Sequence, residues 1–218
     1  ISACLVGSEM CIRDRLSVAS AIFFVATSIT PTSAETRPDL GATDLRVFAD
    51  LLSGLLAAPS PPTVILTSSG GTVYDLDTPP PYRESSPVRP GSAYSRLKLD
   101  LEQVLLSHAG VVRPLVVRLA NVYGPGQPES AGVVANWLAS AARGMPIRML
   151  GHRENSRDYL YIDDAVDALI RSHRCCSGDR GAGPAVLNIG SGTPVKLGEL
   201  AEIVSSVVGL PLEVAQSP

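Results

Sequence analysis

In Val64-Ile65-Leu66-Thr67-Ser68-Ser69-Gly70-Gly71-Thr72 an apolar run breaks abruptly into small and hydroxylated residues. Such a run reads as a buried parallel strand, here over about 62–67, whose C-terminal end opens into a loop. Similar apolar runs near 20–26, 113–119 and 185–189 alternate with segments of helical period at about 40–57, 92–108, 130–143, 164–173 and 197–208. Alternation of this kind predicts an α/β fold, a parallel sheet covered by helices on both faces. Ligands of open α/β sheets gather at the C-terminal ends of the strands. The hydroxylated residues after Leu66 are therefore the first place to look for a site, and the Pro-rich stretches Thr78 to Pro81 and Pro87 to Gly91 form the loop beyond them.

The helix predicted near 92–108 carries the second constraint. The chain has sixteen arginines and two lysines, and one of those lysines, Lys98, stands four residues after Tyr94. Residues four apart share a helix face, so the ammonium can lie beside the phenol. An arginine would keep the charge but could not serve as a compact, titratable partner. A free phenol has a pKa of about 10, and a nearby cation favours the phenolate, which brings a tyrosine towards use as a general base. The alternative is an ordinary surface pair on an amphipathic helix.

Read in order, the Ser-rich run ending in Thr72-Val73-Tyr74, the Tyr94/Lys98 helix, the strand and turn Pro114 to Gln127, the segment Ser156 to Asp164 and the segment Val186 to Gly192 resemble one family. It is the extended short-chain dehydrogenase/reductase family, in particular its NAD-dependent epimerases and dehydratases of the UDP-glucose 4-epimerase-like kind. The resemblance covers roughly residues 20 to 212. It implies a Rossmann-like, doubly wound parallel sheet with part of a small C-terminal substrate-binding region. It also implies NAD as cofactor and a UDP-sugar or other nucleotide-sugar as substrate.

By resemblance, Tyr94 would take the proton of the sugar 4-hydroxyl while a hydride leaves C4, and Lys98 would lower the phenol pKa and hold the nicotinamide ribose. A hydroxyl from the Ser-rich loop should bridge Tyr94 and the sugar oxygen. The family places it four residues before Tyr74, where this chain has Gly70, so Ser69 is the leading candidate and Thr72 the other. Thr27, Ser68 and Leu119 would line the cofactor with Tyr94 and Lys98. Asn121, Arg157 and Thr72 would contact the substrate. A turn residue before Gly124-Pro125-Gly126 is the plain alternative for Asn121, and an ion pair with Asp158 or Glu154 the alternative for Arg157. Asp163 or Asp164 has the character of a helix N-cap. Dehydratases of the family carry a carboxylate where this chain has Gly70-Gly71-Thr72, which favours a 4-epimerase, with a ketosugar reductase next. A catalytically inactive nucleotide-binding scaffold is the reading from a different class.

The family's Gly-x-x-Gly-x-x-Gly turn, and the acidic residue about 20 positions after it, do not occur in these 218 residues. The resemblance makes residues 21–28 the fourth strand of the sheet and its following loop. The chain is accordingly expected to be a piece of one enzyme, cut at both ends and inactive by itself. Residues 1–15 are read as a non-native leader, 16–128 as a partial dinucleotide-binding domain, and 129–218 as a partial substrate-binding region interleaved with the last strand of the sheet. A competing reading takes Arg13 to Ala34 as a secretory signal with its cleavage site. Hydrophobic residues make up 45% and the net charge is -3, so a core can form and neither nucleic acid nor an acidic membrane is an expected partner. Cysteine and histidine spacing offers no metal site. A cytoplasmic location is expected, with a homodimer through the Tyr94/Lys98 helix as the family implies.

Overall fold

The computed structural model of the protein describes residues 16, 18–149, 151–176, 185–209 and 214–216; the expected leader lies outside them. Strands β1 (Ala21–Phe24), β2 (Thr63–Ser69), β3 (Arg113–Leu119) and β7 (Val186–Ile189) form the main sheet in the order β1-β2-β3-β7. Every pairing in it is parallel, in registers running from Ala21↔Thr63 to Leu119↔Ile189. Helix α1 (Pro38–Gly54) connects β1 to β2, and α2 (Ala93–Ser107) connects β2 to β3.

Strand pleating explains why these runs are apolar without interruption. Val64, Leu66 and Val116 point to one face and pack with Phe48 and Leu52 of α1 and Leu97, Leu101 and Leu105 of α2. Ile65, Leu115 and Val117 point to the other face and meet Leu169 of α4 (Ile162–Cys176). A strand covered on both faces has no polar side to show. The result is the α/β arrangement that the alternation predicts, of the Rossmann-like kind that the resemblance implies.

After β3, on both sides of β7 in the chain, a smaller unit is built. Strands β4 (Asn121–Tyr123), β6 (Ser156–Tyr161) and β8 (Pro194–Lys196) make a mixed sheet, and β5 (Ile147–Met149) pairs in parallel with β9 (Val214–Gln216). Helices α3 (Val133–Ala142) and α5 (Leu197–Val208) close a second core around Trp137, Ile147, Met149, Leu200 and Val204.

Three local expectations change. The expected strand over 62–67 runs on to Ser69, because the ladder continues to Ser69↔Leu119 and Gly70 N then donates to Leu119 O at 2.8 Å. The first helix starts at Pro38, whose fixed φ suits a first helical position, and it gives way after Gly54 to a 3-10 turn at Leu55–Ala57. Asp163 and Asp164 lie in the first turn of α4 rather than at its cap, where their charge complements the helix dipole. Of the two readings of residues 21–24, the strand is the one observed. Among the described residues no helix is long and apolar enough to cross a membrane, and no cluster of three or more His, Cys, Asp or Glu side chains could hold a metal.

Candidate active site

The C-terminal ends of β2, β3 and β7 meet at Gly70, Leu119 to Ala120 and Ile189 to Gly190. Gly70 N bonds Leu119 O, and Ala120 N bonds Ile189 O at 2.8 Å. Helix α2 brings its first turns to this edge. Ser92 is its N-cap in extended conformation, accepting from Ser95 N at 3.2 Å while its own amide donates to Ser95 Oγ at 3.0 Å. Glu35, from the loop after β1, accepts from Ala93 N at 2.8 Å. The turn that bears Tyr94 is thus tied down by side chains on both sides of it.

Lys98 is 5% exposed, and its Nζ lies 5.7 Å from the centroid of the Tyr94 ring. Its ammonium donates to Thr67 O at 3.2 Å, which docks it under the end of β2. That is its one hydrogen bond among the described residues, so two of the three ammonium donors are left over. Burial pushes the Lys98 pKa down, while the Asp44 and Glu102 carboxylates pull it back up. Burial also pushes the half-buried Tyr94 phenol above its ordinary value. The lowering expected of Lys98 is not among the causes of that shift: the ammonium bonds a backbone carbonyl, and desolvation of the phenolate sets the direction.

The other sequence candidates fall into four groups. Thr27 shares Asp44 with Ser28: Thr27 Oγ1 donates to Asp44 Oδ2 at 3.2 Å, and Ser28 N and Oγ reach that carboxylate at 2.7 and 2.6 Å. This clamps the loop after β1 to α1. Ser69 ends β2, its carbonyl accepting from Thr72 N and Val73 N, and it pairs in register with Leu119. Asn121 starts β4 rather than lying in the turn, donates from Nδ2 to Asp158 O at 3.0 Å, and borders Gly71. Thr72 belongs here too, and its Oγ1 is buried without a hydrogen-bond partner among the described residues. The Ser68 hydroxyl is drawn elsewhere, donating to Glu102 Oε1 at 2.5 Å. Arg157 is exposed and donates to Ser156 O at 2.9 Å. Its two expected ion-pair partners are engaged with other groups: Asp158 holds Ser191 and Gly192, and Glu154 pairs with Lys196.

Sequence reasoning passed over Asp44, Glu102, Arg118 and Asn188. A signal existed for two of them. Glu102 follows Lys98 by four residues on the same helix face, and Arg118 interrupts an apolar strand whose central position requires a buried partner.

A cofactor test can be made on the polar groups themselves. The spare donors of a buried ammonium and the orphaned Thr72 hydroxyl are desolvated without full compensation, which a ligand rich in hydroxyls would supply. Lys98 and Tyr94 are the side chains that would hold the ribose of a nicotinamide nucleotide, beside Leu119 and the clamped Thr27 loop.

A family model described as the NAD dependent epimerase/dehydratase family matches residues 12–190. UDP-glucose 4-epimerase of Mycolicibacterium smegmatis is 36% identical over 156 residues, which are 69% of this chain and 48% of that protein. The dTDP-4-dehydro-6-deoxyglucose reductase of Escherichia coli is 34% identical over 146 residues, 65% of this chain and 44% of its own. Among solved structures, UDP-glucose 4-epimerase of Thermotoga maritima with UDP-glucose superposes with a TM-score of 0.83 at 26% identity, over 97% of this chain and 69% of that one. The chain thus spans about half the length of these curated relatives.

Proposed function

The chain belongs to the NAD-dependent epimerase/dehydratase family, and within it we propose that this site serves a nucleotide-sugar 4-epimerase acting on a UDP-sugar, with Tyr94 as the base. The observation that carries this reading is the capped turn of α2, which presents a half-buried phenol beside a buried ammonium with donors to spare, at the C-terminal edge of a parallel sheet. When bound, NAD would accept a hydride from the sugar carbon and return it. Tyr94 would receive the proton of the 4-hydroxyl through its phenol oxygen and hand it back when the hydroxyl is re-formed. Lys98 would keep its charge near that oxygen and give its free N–H groups to ribose hydroxyls. Ser69 would relay the proton between Tyr94 and the sugar, and Thr72 and Asn121 would hold the sugar, a role for which the unpartnered Thr72 hydroxyl is suited. Arg157, exposed at the start of β6, is free to turn towards a diphosphate, which its planar fork can grip bidentately. A cytoplasmic homodimer paired through α2 belongs to the same reading.

The dTDP-4-dehydro-6-deoxyglucose reductase among the relatives favours a second reading, a ketosugar reductase. A neutral phenol is suited to giving a proton to a carbonyl oxygen before it is suited to taking one. The test is made in the protein that carries this chain. Interconversion of UDP-glucose and its 4-epimer should fall about 10²- to 10⁴-fold in Tyr94→Phe, with NAD affinity little changed. Full turnover in Tyr94→Phe removes Tyr94 as the base, and one-way consumption of NADH with a 4-ketosugar selects the reductase.

A further inference from the structure

One helical turn beyond Lys98, on the same face, stands Glu102, 3% exposed and bound to an arginine that is 6% exposed. Arg118 Nη2 donates to Glu102 Oε2 at 2.6 Å, and its Nε reaches Oε1 at 3.1 Å and Oε2 at 3.3 Å. The remaining arm, Nη1, donates to the Tyr74 hydroxyl at 3.0 Å. That hydroxyl donates to Asn188 Oδ1 at 2.6 Å in β7. Asn188 in turn donates from Nδ2 to Tyr82 O at 3.2 Å and from its amide to Glu84 Oε1 at 2.8 Å. Tyr82 stacks on Tyr74 with ring centroids 4.8 Å apart and planes 15° from parallel.

Tyr74, Tyr82 and Glu84 belong to the loop of residues 70–92, which leaves the sheet beside Thr72 and re-enters structure at Ser92, the cap of α2. The loop folds back on itself through a Tyr74↔Val88 bridge and packs Val73 and Tyr74 on Leu99 of α2. A buried ion pair brings little net stability over an apolar pair of the same volume, because desolvation of both charges offsets their attraction. A forked guanidinium that grips a helix carboxylate with one arm and a loop hydroxyl with the other does fix geometry.

We propose that Arg118 is a positioning residue for the reaction: by holding Glu102 and Tyr74 at once, it locks the loop of residues 70–92 to the helix face that presents Tyr94 and Lys98, a role that rests on the assignment of those two residues above. Thr72 at the root of the loop and Lys98 on the helix then keep one relative placement when a nucleotide sugar binds. Reacting groups displaced by about 1 Å can lose on the order of 10²-fold in rate.

Tyr74→Phe keeps the ring and its stacking and removes only the hydroxyl that joins Arg118 to Asn188. Hydrogen exchange should show amides in 75–91 opening at least about 10-fold faster while those in the centre of α2 are unchanged. In the protein that carries this chain, kcat should fall about 10-fold or more with KM for the nucleotide sugar changed little, the mark of an interaction made in the transition state. Arg118→Lys, with its charge but without its fork, should behave like Tyr74→Phe. Should the single arginine variant fail to fold, the double variant Glu102→Leu/Arg118→Met leaves no unpaired charge and carries the same expectation. Unchanged loop exchange in a folded Tyr74→Phe or double variant overturns the proposal, as does a lowered melting temperature with kcat intact. The exchange measurement does not depend on turnover, so it separates a failure of the tether from a failure of Tyr94 as base.

Discussion

Lys98 is a buried cation with a single acceptor among the described residues, and its proton should report that environment in the stability of the fold. Its folded pKa lies below the ordinary 10.5, so between the two values the unfolded chain binds more protons and stability rises with pH. The rise should end near 10.5, and Lys98→Met should flatten it in urea titrations taken across the alkaline range. Tyr94 works in the opposite sense. Its folded pKa lies above 10.0, so stability should fall as pH climbs past that point, and Tyr94→Phe should remove the fall. Thr72 gives a test free of charge. Because its buried hydroxyl has no partner, Thr72→Val should leave the ligand-free fold as stable or slightly more so while weakening nucleotide-sugar binding. A loss of about 1 kcal/mol or more in ligand-free stability would mean that the hydroxyl has a structural role. At this scale the Tyr94/Lys98 spacing was legible because a four-residue step is local geometry. The Arg118 fork was not, since it joins residues 44 and 16 positions apart through a fold that must exist first.

Helix α2 and the turn after β4 show how far an element can be read from its own residues. Ser92 and Ser95 close a capping box that was not read from the sequence, where a serine stands in place of the usual Glu or Gln, and Ser92→Ala should cost about 1 kcal/mol by loss of the cap. Gly124 is a harder case. It has φ 146°, and a Cβ placed there would come within 2.5 Å of Ile162 Cγ2, at the start of α4. Gly124→Ala should therefore cost on the order of 1–3 kcal/mol, seen as a lower urea midpoint at unchanged slope. The Gly-Pro-Gly turn was legible as a turn, but the requirement for glycine comes from a helix nearly forty residues away. The extension of β2 through Ser69 has the same origin. Hydroxylated residues read as a loop until a neighbouring strand offers them a ladder, as β3 does here.

Over the whole molecule, the parallel sheet follows from strands apolar on both faces and from connections long enough to hold a helix. The resemblance implied a region interleaved with the last strand of the sheet, but the apolar pattern did not reveal that residues 121–208 build a second core and a separate small sheet, while β7, within that span, returns to pair with β3. That return brings Asn188 under the loop of residues 70–92 and Gly190 against Asp158 and Ala120, so the long-range pairing assembles the site. In the proposed reaction this assembly would let NAD oxidise and re-reduce one sugar carbon, with Tyr94 moving the proton. The most direct measurement supplies UDP-glucose deuterated at C4 to the protein that carries this chain and follows the label in the 4-epimer. The epimer should keep deuterium at C4, and Tyr94→Phe should form almost none. Washout of the label into water, or an undiminished rate in Tyr94→Phe, would contradict the proposed reaction.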